Sequence, residues 1–126
     1  MIAGMGMDVV DIARARRLLE HHGERALVRL FTPAEAAYAR ERTEPYQHLA
    51  ARLAAKEAAF KALSGSEDAR AIGWREIEVI SSLHRAPTLR LHGRAAARAA
   101  ELCVRRIWVT LTHSHTTAAA VVVLER

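Results

Sequence analysis

Two lysines and a glutamate within six positions carry the chemistry that this chain is equipped to do. Lys56, Glu57 and Lys61 lie in the stretch His48 to Gly65 (HLAARLAAKEAAFKALSG), with Arg52 one helical turn before Lys56 and Glu57 one turn before Lys61. Lys56 and Lys61 are the only lysines in 126 residues, and every other strong cation is an arginine. An ammonium is a compact point charge suited to phosphate oxygens, whereas a guanidinium offers a wide planar fork. On spacing alone, the four charges also fit a salt-bridged surface helix. Lys56, however, projects between Leu49 and Phe60, inside the apolar stripe, where an uncompensated charge is costly. The lysine pair therefore reads as selected for a compact anion.

A hard cation such as Mg²⁺ takes one or two carboxylates, with substrate phosphates and water filling the rest of its shell. Asp8, following Gly4 and Gly6 in the segment MIAGMGMDVV, and Glu57 can supply that pair. Lys56 and Lys61 would then neutralise phosphate charge, including charge that develops on a leaving group. Zinc lacks its ligands here: there is one cysteine and neither H-E-x-x-H nor C-x-x-C spacing. His113 and His115 read as surface residues, with His113, directly at a strand end, suited to a phosphate or adenine contact. No nucleophile elbow supports a Ser-His-Asp triad.

The elements that must position these residues follow from periodicity and punctuation. His48–Gly65 is a helix rich in Ala and Leu, with its alanines covering one half of the surface and Ser64-Gly65 as its stop. Met1 to Val10 reads as a strand whose glycines mark close approach by another backbone or a ligand. Asp11 to His22 is a helix with an apolar side and a basic side (Arg14, Arg16, Arg17), and Gly23 ends it. Glu24 to Phe31 forms a short helix. Thr32-Pro33-Ala34-Glu35 opens another with a capping box, running to about Arg42 before Thr43-Glu44-Pro45 breaks the chain. Ser66 to Gly73 is a polar loop suited to covering a ligand. Trp74 to Ser81 and Thr88 to His92 form a hairpin around a turn at Ser82–Pro87, and Gly93 to Leu102 is a helix. Arg106 to His113 and Ala118 to Glu125 make a second hairpin through Ser114–Thr117. The order predicts a single α+β domain over residues 1–126, an antiparallel sheet packed against helices.

Composition limits the setting. The charge is +5 and the pI about 10.3, which favours anionic partners without distinguishing nucleic acid, nucleotide and acidic protein. Single Cys103 fits a reducing compartment, no signal peptide precedes Asp8 and Asp11, and no apolar run reaches membrane-spanning length. A soluble, cytoplasmic protein is expected.

Three segments in order resemble bacterial holo-[acyl-carrier-protein] synthases. These are Gly4-Met5-Gly6-Met7-Asp8-Val9-Val10-Asp11 with Arg14, the run from Arg52 to Ala62 with its Lys-Glu-Ala-x-x-Lys core, and Val109–His113 followed by Ala118–Val122. The resemblance implies a 4′-phosphopantetheinyl transferase-like fold, a homotrimer, and active sites at subunit interfaces. It implies transfer of phosphopantetheine from coenzyme A to a serine of an apo acyl carrier protein, with Mg²⁺ as cofactor and adenosine 3′,5′-bisphosphate as product. Asp8 and Glu57 would bind the metal, and Lys56 and Lys61 would contact phosphates, with Lys61 assisting catalysis. Arg52, His113 and the turn at Gly65 would hold coenzyme A, and Arg14 would meet the acidic carrier. The base would be Glu57 or a metal-bound water, and neither nucleic acid nor membrane is an expected partner. Ser64-Gly65-Ser66 departs from the family's Gly-Thr-Gly-like turn, and Arg85-Ala86-Pro87 from its Gly-Lys-Pro. Another Mg²⁺-dependent phosphate-ester enzyme, or a small basic nucleic-acid-binding protein, is the alternative.

Overall fold

A computed structural model describes residues 1–82 and 84–126. Its axis is α4 (Pro45–Leu63), the expected central helix, extended by one turn because Pro45 sits at the helix start, where its missing N–H is harmless. Twelve of its nineteen residues are buried, Arg52 and Lys56 among them. Its alanine face lies on a three-stranded antiparallel sheet of order β1-β5-β4, made of β1 (Ile2–Asp11), β4 (Arg106–His113) and β5 (Thr117–Glu125).

The glycines of β1 set the distance. A Cβ on Gly6 would fall inside the carbonyl oxygen of Ala58, and one on Gly4 inside that of Ala62. Strand and helix are thus in backbone contact, so the glycines serve packing against α4 rather than a ligand. The match is metric as well. Two strand residues rise about 6.7 Å and four helix residues about 6 Å, so Gly4 and Gly6 meet Ala62 and Ala58 in step. One more step along each element brings Asp8 to the α4 side of the sheet, in register with Ala120 and Leu111.

Around this core stand α1 (Ile12–His22), capped by Asp11, α2 (Glu24–Leu30) and α3 (Pro33–Arg40). The expected capping box at α3 is present: Thr32 Oγ1 accepts from Glu35 N at 3.2 Å, and Glu35 Oε1 accepts from Thr32 N at 2.8 Å. That helix stops at Arg40 rather than Arg42. A second, two-stranded sheet pairs β2 (Ile77–Ser82) with β3 (Arg85–Leu91), so the single sheet of the sequence reading is divided in two. Trp74–Glu76 is a 3₁₀ turn instead of the first turn of β2, and β3 begins three residues earlier than expected. The polar loop contains a short 3₁₀ helix, Asp68–Ala71, and α5 (Gly93–Glu101) follows β3. Leu83, within the expected Ser82–Pro87 turn, lies outside the described residues. Among those described, no helix is long and apolar enough to cross a membrane.

Candidate active site

The strand–helix contact delivers Asp8 and Glu57 to one place. Their carboxyl groups lie beside each other, and Lys61 Nζ donates to Asp8 Oδ1 at 3.0 Å and to the carbonyl of Met7 at 2.9 Å. Asp8 Oδ2 is buried and has no hydrogen-bond partner among the described residues. Burial, the hydrogen bond with Asp8 and the charge of Asp8 together push the Glu57 carboxyl up to about 7, against the opposing pull of Lys61 and Arg14. Burial alone would raise Asp8 too. The hydrogen bond from Glu57 and the Lys61 ammonium outweigh it, leaving Asp8 below the usual carboxylate range. Two adjacent carboxyls are a donor set for a hard divalent cation, and the unpartnered Asp8 Oδ2 supplies a ready ligand. The pair fits Mg²⁺. Among the described residues no group of three metal-binding side chains assembles, so phosphate and water oxygens would have to complete the shell.

Glu57 opens onto a cleft of about 590 Å³ that also includes Arg14, Leu18, Leu30, Leu53 and Trp74. A second cleft, about 780 Å³, lies beyond the C-terminus of α4 and is walled by Phe60, Ser64, Gly65, Arg70 and, again, Trp74. Gly65 holds a φ of +110°, in the region glycine tolerates, and so lets the chain turn out of α4.

Arg52 and His113 meet in a separate cluster at the other edge of the sheet. The Arg52 guanidinium lies 4.4 Å over the Tyr38 ring, donates to the carbonyl of His48 at 3.1 Å and to Ser81 Oγ, and leaves its Nε without a partner. Arg42 covers the same ring at 4.4 Å. Burial, and then the neighbouring Arg52, His113 and Arg42, hold His48 below its ordinary pKa, so two guanidinium groups crowd two imidazoles at one spot. Such crowding disfavours its own charge and suits an anion. Tyr38, Arg42 and His48 were not singled out by the sequence, whose only cue was the run of cations on either side of Pro45.

Lys56 corrects the expectation. It does not reach a phosphate site: its side chain is 0% exposed, and Nζ donates to Glu35 Oε1 at 2.8 Å and to the carbonyls of Trp74 at 2.9 Å and Ile77 at 2.7 Å. An ammonium has three protons, and all three are used. The neutralising partner demanded by the apolar stripe is Glu35, not a ligand. Burial lowers the Lys56 pKa while Glu35 opposes the shift. Glu35 was hidden in the sequence because its capping-box role already accounted for it.

The sequence model of the 4′-phosphopantetheinyl transferase superfamily matches residues 4–121. A holo-[acyl-carrier-protein] synthase of Geobacter sulfurreducens is 43% identical over 126 residues, covering 100% of this chain and 99% of that protein. The crystal structure of the Neisseria meningitidis holo-[acyl-carrier-protein] synthase superposes with a TM-score of 0.86 at 27% identity, covering 100% of both chains. That of the Bacillus anthracis synthase, in complex with coenzyme A (3′,5′-ADP), gives 0.77 at 26% identity over 98% of this chain and 96% of that one. With all three motifs but the last residue of the third inside the matched segment, this chain belongs to the 4′-phosphopantetheinyl transferase superfamily.

Proposed function

We infer that the chain is a holo-[acyl-carrier-protein] synthase, moving 4′-phosphopantetheine from coenzyme A to a serine hydroxyl of an apo acyl carrier protein. The observation that carries this reading is the Asp8–Glu57 pair, with Lys61 bonded to Asp8, and with Glu57 lining a cleft that also holds Arg14. In the reaction, the serine oxygen bonds to the phosphorus bearing the pantetheine arm. The bond from that phosphorus to the bridging pyrophosphate oxygen breaks, and adenosine 3′,5′-bisphosphate leaves with the electron pair. Asp8 and Glu57 are the residues that would hold Mg²⁺, and the ion would supply charge neutralisation on the pyrophosphate. Lys61 lies where it can offset charge on the departing phosphate, and its exposed ammonium is free to swing from Asp8. Glu57, the carboxyl of the pair that lines the cleft, would take the serine proton.

The cation cluster of Arg52 and His113 would hold the nucleotide end of coenzyme A, and the turn at Gly65 would line the path of the arm. Asp8 stands on one edge strand of the sheet and His113 on the other. A neighbouring copy presenting its His113 edge to the Asp8 edge would complete a site that one chain divides. Closed head-to-tail repetition of that contact makes a ring, and a homotrimer is the ring we propose. The sheet face opposite α4 supports this, since Met5, Met7, Val9 and Trp108 on it are each more than half exposed. Arg14 stands at the cleft rim, and a neighbouring groove has Leu18 and Leu30 beside Arg25 and Arg29, a surface complementary to an acidic carrier helix. A cytoplasmic location is part of the same proposal; nucleic acid and membrane are not.

The test is incubation with coenzyme A, Mg²⁺ and an apo carrier protein, read by intact mass of the carrier. A gain of one phosphopantetheine, lost when coenzyme A is omitted, is expected. Carriers of both fatty-acid and polyketide type left unmodified by the folded protein would overturn the reading.

A further inference from the structure

Trp74 has a role that the sequence did not indicate. It lines both clefts, facing Ser64, Gly65 and Ser66 in one and Arg14, Leu53 and Glu57 in the other. Its ring packs edge-on against Phe60, with centroids 5.0 Å apart and planes at 80°. The turn that carries it, Trp74–Glu76, is tied to the end of β3 through the next residue, His92, whose N donates to the Glu76 carbonyl at 2.8 Å, and both its flanks are held by one atom: Lys56 Nζ donates to the Trp74 carbonyl and to the Ile77 carbonyl. That atom is in turn fixed by Glu35, whose Oε1 also accepts from Thr32 N at 2.8 Å and whose Oε2 accepts from Val79 N at 2.9 Å. Lys56 is the residue before Glu57 on the same helix. One side chain therefore ties the helix that bears the carboxylate to the turn that bears the wall opposite it.

We propose that Lys56 is a positioning residue: its buried ammonium pins the turn carrying Trp74, so that the indole forms the shared wall of the two clefts and the arm under transfer lies against it. This rests on the assignment of coenzyme A and a carrier protein as substrates. Trp74 contacts the arm and is a specificity-determining residue, while Lys56 touches no substrate and acts through it. The nucleotide half of coenzyme A, held at the far edge of the sheet, does not depend on either.

Lys56→Met alone strands the Glu35 carboxylate, so the double variant Lys56→Met/Glu35→Gln, which removes both charges, is compared with Trp74→Ala in the full chain. In each, KM for coenzyme A is expected to rise about tenfold, with kcat changed less than about threefold. The dissociation constant of adenosine 3′,5′-bisphosphate, which has no arm, is expected to stay as in the unsubstituted chain. A general loss of structure would weaken both ligands alike, and such a parallel loss, or no change in either, would overturn the proposal. Should the double variant not fold, Trp74→Ala decides by the same criterion. In a Trp108→Phe background Trp74 is the sole tryptophan, and its emission is expected to shift to the red when Lys56 and Glu35 are neutralised. Unchanged emission removes the clamp. If the unsubstituted chain modifies no carrier, the functional reading fails, and that emission shift still decides whether Lys56 holds Trp74.

Discussion

Replacing Glu57 with Gln separates the electrostatics of the carboxyl pair from everything else in the fold. The Glu57 carboxyl is raised from 4.5 to about 7 by burial and by Asp8, so the folded chain holds a proton that the unfolded chain releases between those values. Stability from this group is complete below pH 4.5 and is lost as pH rises through 7. At about 1.4 kcal/mol per pH unit the loss would reach ~3.4 kcal/mol for a fully buried acid; Glu57 is partly open to solvent, and screening reduces it to about 1–2 kcal/mol. Asp8, shifted down, contributes in the acid range instead and does not mask this window. The half-buried His48, held below its ordinary pKa, acts in the opposite sense, so the quantity to measure is the difference between the two proteins. In chelator-containing buffer the variant is expected to melt about 3–10 °C above the unsubstituted chain at pH 8 and to converge with it at pH 5. Millimolar Mg²⁺ is expected to raise the melting temperature of the unsubstituted chain at pH 8 and to leave the variant unmoved. Parallel pH profiles for the two proteins between pH 5 and 8 would refute the raised proton affinity of Glu57.

Three further outcomes follow from the same geometry. Gly6→Ala drives a methyl into the Ala58 carbonyl and should prevent folding or lower stability by more than about 3 kcal/mol, read by denaturant melts; Gly73→Ala, in open space, should be silent by comparison. Lys61→Ala breaks an ion pair whose lysine is more than half exposed, so stability should change by less than about 1 kcal/mol while transferase kcat falls at least a hundredfold. Met7→Asp, on the open face of the three-stranded sheet, should shift the mass measured by light scattering from a trimer to a single chain; an unaltered trimer would place the interface elsewhere.

Much of the frame was legible because local chemistry and tertiary structure agree. The capping box at Thr32, the alanine face of α4 and the hairpin of β4 and β5 all read correctly from the sequence. The nearness of Asp8 and Glu57 agrees with their being read together as hard oxygen donors. What periodicity could not supply was pairing across distance. Lys56 was seen to need a counter-charge, but Glu35 lies 21 positions away and spends its capping oxygen on Thr32, so nothing local marked it as the partner. Trp74 read as the start of a strand because WREIEVIS alternates, whereas the grip of Lys56 on its carbonyl bends that stretch into a turn. The glycines of β1 were read as marking close approach by a backbone or a ligand; which of the two depended on a helix 50 residues further on.

The occupancy of Nζ at position 56 bears on how this sequence can drift. All but two of the Lys and Arg residues of this chain are arginines, yet a guanidinium at position 56 would bring five N–H groups to a buried spot with three acceptors. Two donors would be sealed away from water, and the planar head would crowd the Phe31 ring, now 5.5 Å from the nitrogen. Substitutional pressure toward arginine therefore halts at this one interior position, for reasons of valence and room rather than of catalysis.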